Sequence, residues 1–338
     1  MVTICVDAMG GDELPEVVLE GIALALEADE DLSVLGAGPE DIVCPFAAEH
    51  ARAMPLIASE VIAMDEHPAE AVRKKKDSSI VKGCAAVRKG DADGFFSAGS
   101  TGAIFAAATM GVGRIRGIKR PALASALPGL GGHETVFLDL GANADVRPEM
   151  IVQFAEMGIA YAKVVLGVTN PKVGLLSNGE EDTKGSEQAL AYHQALKASG
   201  LPFYGNAEGT DILMGDFDVI VSDGFTGNVA LKSLEGTAKY IVGCLKAAVS
   251  ESLVATVGAG LLKPVLKDIQ ASLSGDERGG ALLVGVKAPV LIGHGSTSAK
   301  AVSSGTLEAA RLVRADLTGR IAETLAEAAE ALKEQAQE

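Results

Sequence analysis

Six times along this chain a short, almost wholly apolar run ends in a polar, glycine-rich loop. The runs are Val2 to Val6, Gly94 to Phe96, Val136 to Leu140, Val173 to Leu176, Val219 to Val221 and Val290 to Ile292. The loops are Asp7 to Asp12, Ser97 to Ala103, Asp139 to Asp145, Ser177 to Glu181, Ser222 to Asn228 and Gly293 to Ser298. Runs this short and apolar read as strands buried on both faces. Helical stretches lie between them, at Pro15 to Glu27, Thr101 to Met110, Glu149 to Leu166, Lys184 to Ala198 and Gly227 to Val249, and Thr297 to Gln337 predicts one or two closing helices. Alternating strands and helices imply a doubly wound α/β fold with a largely parallel sheet. Ligands of such sheets sit beyond the carboxyl ends of the strands, so the six loops are expected together at one sheet edge, around a concave polar site.

With 338 residues and 48% hydrophobic content the chain can bury a large core, and 40 glycines with no tryptophan suit many short turns. A formal charge of −16 opposes general affinity for nucleic acid or anionic lipid. Cys5, Cys44, Cys84 and Cys244 are scattered, without a C-x-x-C pair, and read as small core residues in a reducing compartment. No signal segment or membrane-spanning run is apparent, so a cytoplasmic location is expected.

The loop from Ser97 to Ala103 joins an apolar strand to an apolar helix. Its glycines allow close backbone approach, its Ser and Thr offer hydroxyls, and the first amides of the helix face outward with the helix dipole behind them. No Lys follows Gly102 and no third Gly completes a dinucleotide fingerprint, which points to phosphate or a phosphorylated group. The alternative is an ordinary strand-to-helix turn with a Ser N-cap.

Together with Arg120-Pro121-Ala122, Lys184-Gly185 and Gly205-Asn206-Ala207-Glu208-Gly209, these loops occur in the order seen in bacterial acyl-ACP:phosphate acyltransferases, and from about residue 2 to about residue 312 the chain resembles that PlsX family. The resemblance implies a three-layer α/β/α fold shared with phosphate acetyltransferases and isopropylmalate dehydrogenases. It implies residues 1–338 as one catalytic unit of two lobes, usually a homodimer. The implied reaction moves a long acyl chain from acyl carrier protein to inorganic phosphate. A membrane acyltransferase then uses the acyl phosphate for phospholipid synthesis. No cofactor and no metal are implied. The sequence departs from the family at Ser100, often Asn there, and at Ala207, where a larger apolar residue is common.

Phosphate is itself nucleophilic enough for a thioester, so the protein needs to hold the dianion and stabilise an oxyanion. Amides of Gly99, Ser100, Thr101 and Gly102, with the Ser296 hydroxyl nearby, are candidates for phosphate. Lys184 supplies charge or is a solvated side chain, and Asn228 donates to the oxyanion or caps a helix. His294, between two glycines, donates to phosphate, protonates the leaving thiolate, or is structural. Asp7, Asp139 and Asp223 read as braces for loop amides in preference to metal ligands, with Gly10, Gly11 and Asn143 as loop support.

Arg114, Arg116, Lys119 and Arg120 form a basic cluster suited to an acidic carrier, and Arg73 to Lys76 forms a second, equally readable as a solvated run. The apolar stretch containing Leu253, Val254, Leu261 and Leu262, within a predicted helical hairpin at 250–270, suits either insertion into the inner face of the cell membrane or burial between subunits. Competing functions are a phosphate acetyltransferase acting on acetyl-CoA, a dehydrogenase, for which no nucleotide motif is found, and a non-catalytic carrier-binding scaffold at the membrane.

Overall fold

The computed structural model describes residues 1–11, 15–250, 260, 262, 279–295 and 297–335. One sheet of eleven strands runs through it, in the order β3-β2-β1-β4-β11-β10-β5-β6-β9-β7-β8. The strands are β1 (Val2–Asp7), β2 (Leu32–Gly38), β3 (Ala53–Ile57), β4 (Gly94–Ser97), β5 (Ala122–Pro128), β6 (Glu134–Leu138), β7 (Val173–Leu176), β8 (Phe203–Ala207), β9 (Val219–Val221), β10 (Ala281–Val284) and β11 (Val290–Ile292). The helices are α1 (Pro15–Ala28), α2 (Glu40–Glu49), α3 (Pro68–Lys74), α4 (Ser79–Lys89), α5 (Thr101–Met110), α6 (Pro148–Val165), α7 (Glu187–Ala198), α8 (Gly224–Ser250), α9 (Ala299–Arg314) and α10 (Leu317–Gln335).

The period of two along each strand divides the core into two layers. Ile4, Val6, Phe96, Val136, Leu138, Val219 and Val221 face one layer, which α1, α6, α7, α9 and α10 cover. Cys5, Phe95, Phe137 and Ile220 face the other, covered by α3, α4, α5 and the first turns of α8. The two phenylalanines of β4 show how tightly the layers close. A Cβ at Gly83 on α4 would stand 2.3 Å from the Phe95 ring, and one at Gly305 on α9 would stand 2.1 Å from Phe96. Each helix has a glycine where a ring must fit, so the sheet and both layers pack without a void there.

Most neighbours pair in parallel, as the alternating pattern predicts. The exceptions are consecutive: β10 runs antiparallel to β11 and to β5, and β5 runs antiparallel to β6. Consequently β6, β7, β8 and β9 point opposite to β1, β2, β3, β4 and β11. The expectation of six loops at one sheet edge is therefore corrected. Three loops, after β1, β4 and β11, leave one edge, and three, after β6, β7 and β9, leave the other. A second correction concerns Lys184. The helix expected from Lys184 starts at Glu187, capped by the Ser186 hydroxyl accepting from the Ala189 amide, so Lys184 lies in the loop before it.

Candidate active site

At the first edge, Asp7 organises the loops. Its carboxylate accepts from the Met9 amide at 3.0 Å and from the Ser97 hydroxyl at 2.7 Å, and the Ser97 oxygen accepts in turn from the Gly99 amide at 3.0 Å. Burial pushes the Asp7 carboxyl up from its usual range, while bonds from Ser79, Ser97 and the Met9 amide pull it back. The chain at Gly10 comes close enough that a Cβ would lie 2.9 Å from the Gly99 nitrogen. A cavity of about 210 Å³ opens over Asp7, Gly10, Gly11 and Gly99, with Val61 to Met64 on its other side. The Gly99 amide is thus spent inside the protein and drops out of the expected phosphate cradle. Ser100 occupies the N-cap of α5, yet its side chain makes no capping hydrogen bond. The α5 amides that follow have no carbonyl within their own helix. Thr101 and His294 are exposed and Ser100 is buried. Ser296 lies outside the described residues.

At the second edge, Asp139 plays the same part more completely. Fully buried, it accepts from the amides of Leu123, Gly141, Ala142 and Asn143 at 2.8–3.2 Å, and from the Asn143 side chain at 2.8 Å. Burial raises its pKa, opposed by these donors. The Asn143 amide group also donates to the Pro121 carbonyl at 2.8 Å, which ties this loop to the end of the basic segment. Asp223 caps α8, accepting from the Thr226 amide at 2.8 Å and its hydroxyl at 3.0 Å. All three aspartates spend their oxygens on loop amides and neighbouring protein groups. Among the described residues no cluster of His, Cys, Asp and Glu suits a metal ion.

Since Asp223 is the cap, Asn228 is not. It stands in the second turn of α8, exposed, and a Cβ at Gly141 would touch it at 3.4 Å, so its amide overhangs the Asp139 to Asn143 loop. Lys184 is exposed, with its stem folded over the buried Gly179. Beside it a cavity of about 400 Å³ is lined by Leu176, Ser177, Gly185, Tyr192, Asp223, Phe225 and Val229, among others. Mixed apolar walls with a few polar groups suit a substrate carrying both. The structure therefore brings Lys184, Asn228, Asp139, Asn143 and Asp223 together at one edge, and Asp7, Gly10, Gly11, Gly99, Ser100, Thr101, Gly102 and His294 at the other.

Four buried side-chain atoms among the described residues have no hydrogen-bond partner: Asn143 Oδ1, Ser177 Oγ, Ser222 Oγ and Thr297 Oγ1. An unpaired buried polar group costs about 1–3 kcal/mol, so such atoms mark where a ligand or water belongs. All four lie in the loops that follow β6, β7, β9 and β11. Ser177, Ser222 and Thr297 escape a search for catalytic residue types. Their position just after apolar strands is the one signal the sequence carries for them.

Arg114, Arg116, Lys119 and Arg120 are exposed in the segment leading into Pro121, beside the second edge. They are not equally available. Arg114 donates to the carbonyls of Ile118 and Lys119, and Lys119 pairs with Glu149 at 3.2 Å. In the other basic run the three lysines are engaged locally, Lys74 by Glu70, Lys75 by Glu66 and Lys76 by the Val72 carbonyl. Leu262 is helical and 55% exposed, whereas Leu253, Val254 and Leu261 lie outside the described residues. No helix among the described residues is long and apolar enough to cross a membrane.

Comparison with known proteins bears on the fold and the family. The fold is similar to a phosphotransacetylase from Streptococcus pyogenes, with a TM-score of 0.58 at 16% identity over 93% of this chain and 94% of that one. It is also similar to the EutD phosphotransacetylase of Staphylococcus aureus, with a TM-score of 0.57 at 18% identity, over 93% and 94%. In sequence, the phosphate acyltransferase of Bacillus licheniformis is 45% identical over 97% of this chain and 99% of its own length, and that of Pelotomaculum thermopropionicum 45% over 98% and 96%. Residues 2–320 match the family model described as fatty acid synthesis protein, and with relatives this similar over nearly its whole length the chain belongs to that family of phosphate acyltransferases.

Proposed function

We propose that this chain is an enzyme that transfers an acyl group from the thioester of acyl carrier protein to inorganic phosphate, making acyl phosphate for phospholipid synthesis. The observation that carries the reading is the set of unpaired buried hydroxyls that follow β7, β9 and β11, Ser177 and Ser222 at the second edge and Thr297 at the first, each able to donate to an oxygen-rich ligand. A phosphate oxygen attacks the thioester carbon, a C–O bond forms, and the tetrahedral oxyanion collapses with cleavage of the C–S bond. The thiolate leaves and takes a proton, for which His294 is the candidate donor. Lys184 offsets the charge of the dianion and the oxyanion, and the Asn228 amide donates to the oxyanion. Ser100, Thr101 and Gly102 contribute to holding phosphate. No covalent enzyme intermediate is required. Neither loop cavity is lined by a cysteine, and burial pushes the thiols of Cys5 and Cys84 well up, away from the nucleophilic thiolate.

Sheet twist offers a way for two opposed loop sets to act on one substrate pair. From β4 to β9 there are five strand steps, and at about 20–25° each they accumulate to roughly 100–125°. A strand that starts antiparallel is thereby turned to within about 55–80° of β4, its carboxyl end swung toward one face. The two sheet halves then act as two lobes flanking a common cleft. Arg116 and Arg120 suit the acidic carrier. The exposed Tyr240, Ile241 and Leu245 of α8 suit contact with a second copy of the chain, and the apolar sequence of 250–270, most of it outside the described residues, suits the bilayer surface.

The test uses purified protein with palmitoyl-ACP or palmitoyl-CoA, with and without phosphate, following free thiol and acyl phosphate. Phosphate-dependent release of both is expected. Thiol release without phosphate, or activity confined to acetyl-CoA, would overturn the reading.

A further inference from the structure

The loop that carries Lys184 is tied down by groups outside the expected site. Asn206, buried on β8, donates through its one amide nitrogen to the carbonyls of Gly179 at 3.1 Å and Glu181 at 2.9 Å. With both amide protons used, its Oδ1 is fixed as an acceptor, and it lies 2.9 Å from Nδ1 of the buried His193 on α7. Nδ1 therefore carries a proton. The other ring nitrogen, Nε2, lies 3.4 Å from the Asp182 carboxylate in the same loop. That contact is attractive only if Nε2 is protonated too, since otherwise a lone pair faces an anion. The charged groups facing the ring are Asp182 from the loop and, through it, Lys197, which binds Asp182 at 2.6 Å from the next turn of α7. From β8 the ring meets Asn206 and the edge of Phe203 at 5.0 Å.

We propose that His193 is a positioning residue for the reaction, bridging Asn206 and Asp182 through its two ring nitrogens so that the 179–184 loop is locked and Lys184 is fixed. The proposal rests on the assignment of Lys184 to the site. The path is short: the Lys184 amide donates to the Glu181 carbonyl at 2.9 Å, the same carbonyl that Asn206 holds.

The test combines two variants with two readouts. His193→Asn keeps a donor toward Asn206 but cannot reach Asp182 or gain charge. Asp182→Asn changes an exposed side chain and leaves the core untouched. For both, kcat should drop about tenfold, with a much smaller change in KM for the acyl donor. Amide hydrogen exchange in residues 179–185 should rise in both variants while exchange in the central strands stays as in wild type. Wild-type kcat in both variants, or exchange in this loop that does not respond, would overturn the lock. If Lys184→Ala turns over normally, the assignment of Lys184 fails by itself, and the lock is then decided by the exchange data alone.

Discussion

Replacing Gly227 with Ala probes the join between the two loops of the second edge. A Cβ at this position would stand 2.0 Å from the carbonyl oxygen of Asp139 and 2.7 Å from the Ser222 hydroxyl. The first is backbone, held by a carboxylate with five donors, and cannot swing aside. Restoring an ordinary contact of roughly 3 Å or more requires the first turn of α8 to retreat by about 1 Å. Asn228 is the next residue and moves with it, away from the Asp139 to Asn143 loop. Overpacking of this kind costs about 1–3 kcal/mol of stability, and a displacement of about 1 Å in a catalytic group can cost on the order of a hundredfold in rate. Gly236 supplies the control. It lies on the same helix with open space around its Cα, and Ala there should be neutral or stabilise the helix by up to about 1 kcal/mol. The assays are thermal melting and acyl phosphate formation. Gly227→Ala with normal turnover and an unchanged Tm would refute the claim that α8 and the Asp139 loop form one rigid unit.

Three further outcomes are expected. Lys184→Ala should lower kcat about a hundredfold or more while melting as wild type does, since the side chain is exposed and its charge acts on the reacting oxygens; assay and calorimetry decide it. Reversing Arg116 and Arg120 to Glu should raise KM for acyl-ACP far more than for acyl-CoA, because only the carrier presents an acidic surface, and added salt should weaken wild type in the same direction. Burial raises the Glu156 carboxyl from 4.5 to about 7, so its contribution to stability is present below pH 4.5 and lost as pH rises through 7, about 3 kcal/mol in all. Urea denaturation of Glu156→Gln should show a stability difference from wild type that grows by most of that amount between pH 5 and 8, and parallel curves would refute it.

What the sequence made legible follows from what burial leaves in it. Val173–Leu176, Val219–Val221, Val290–Ile292 and Thr101–Met110 are found at their observed bounds, because central strands and a core helix must be continuously apolar. Strands β5 and β10 carry weaker signals. Ala122–Pro128 is mostly small residues, and Ala281–Val284 is four residues beside a glycine pair. Leu32–Gly38 is just as buried, yet its two glycines blur the pattern. The pairing of His193 with Asn206 was not legible, since it joins a helix to a strand thirteen residues on and neither position alone announces a bond.

Strand direction was the larger omission, and it has a physical cause. Alternating burial says which face a side chain meets and is the same whichever way the strand runs. Direction is set by the connections, and here two antiparallel neighbours in the middle of the sheet, β10 and β5, reverse everything beyond them. The three loops of each half retain the chemistry read from their residues, with Asp7 and Asp139 each bracing a glycine-rich turn at the end of a strand. Their division suits a reaction between a small dianion and a bulky acyl carrier. Under the proposed function both sets of strand ends act on the reacting pair, and the twist between β4 and β9 determines how closely the two can meet. Spin labels at Thr101 and Asn228, both exposed, report that separation directly. A distance too long for phosphate and thioester to touch within one chain would assign the junction to two copies instead of one.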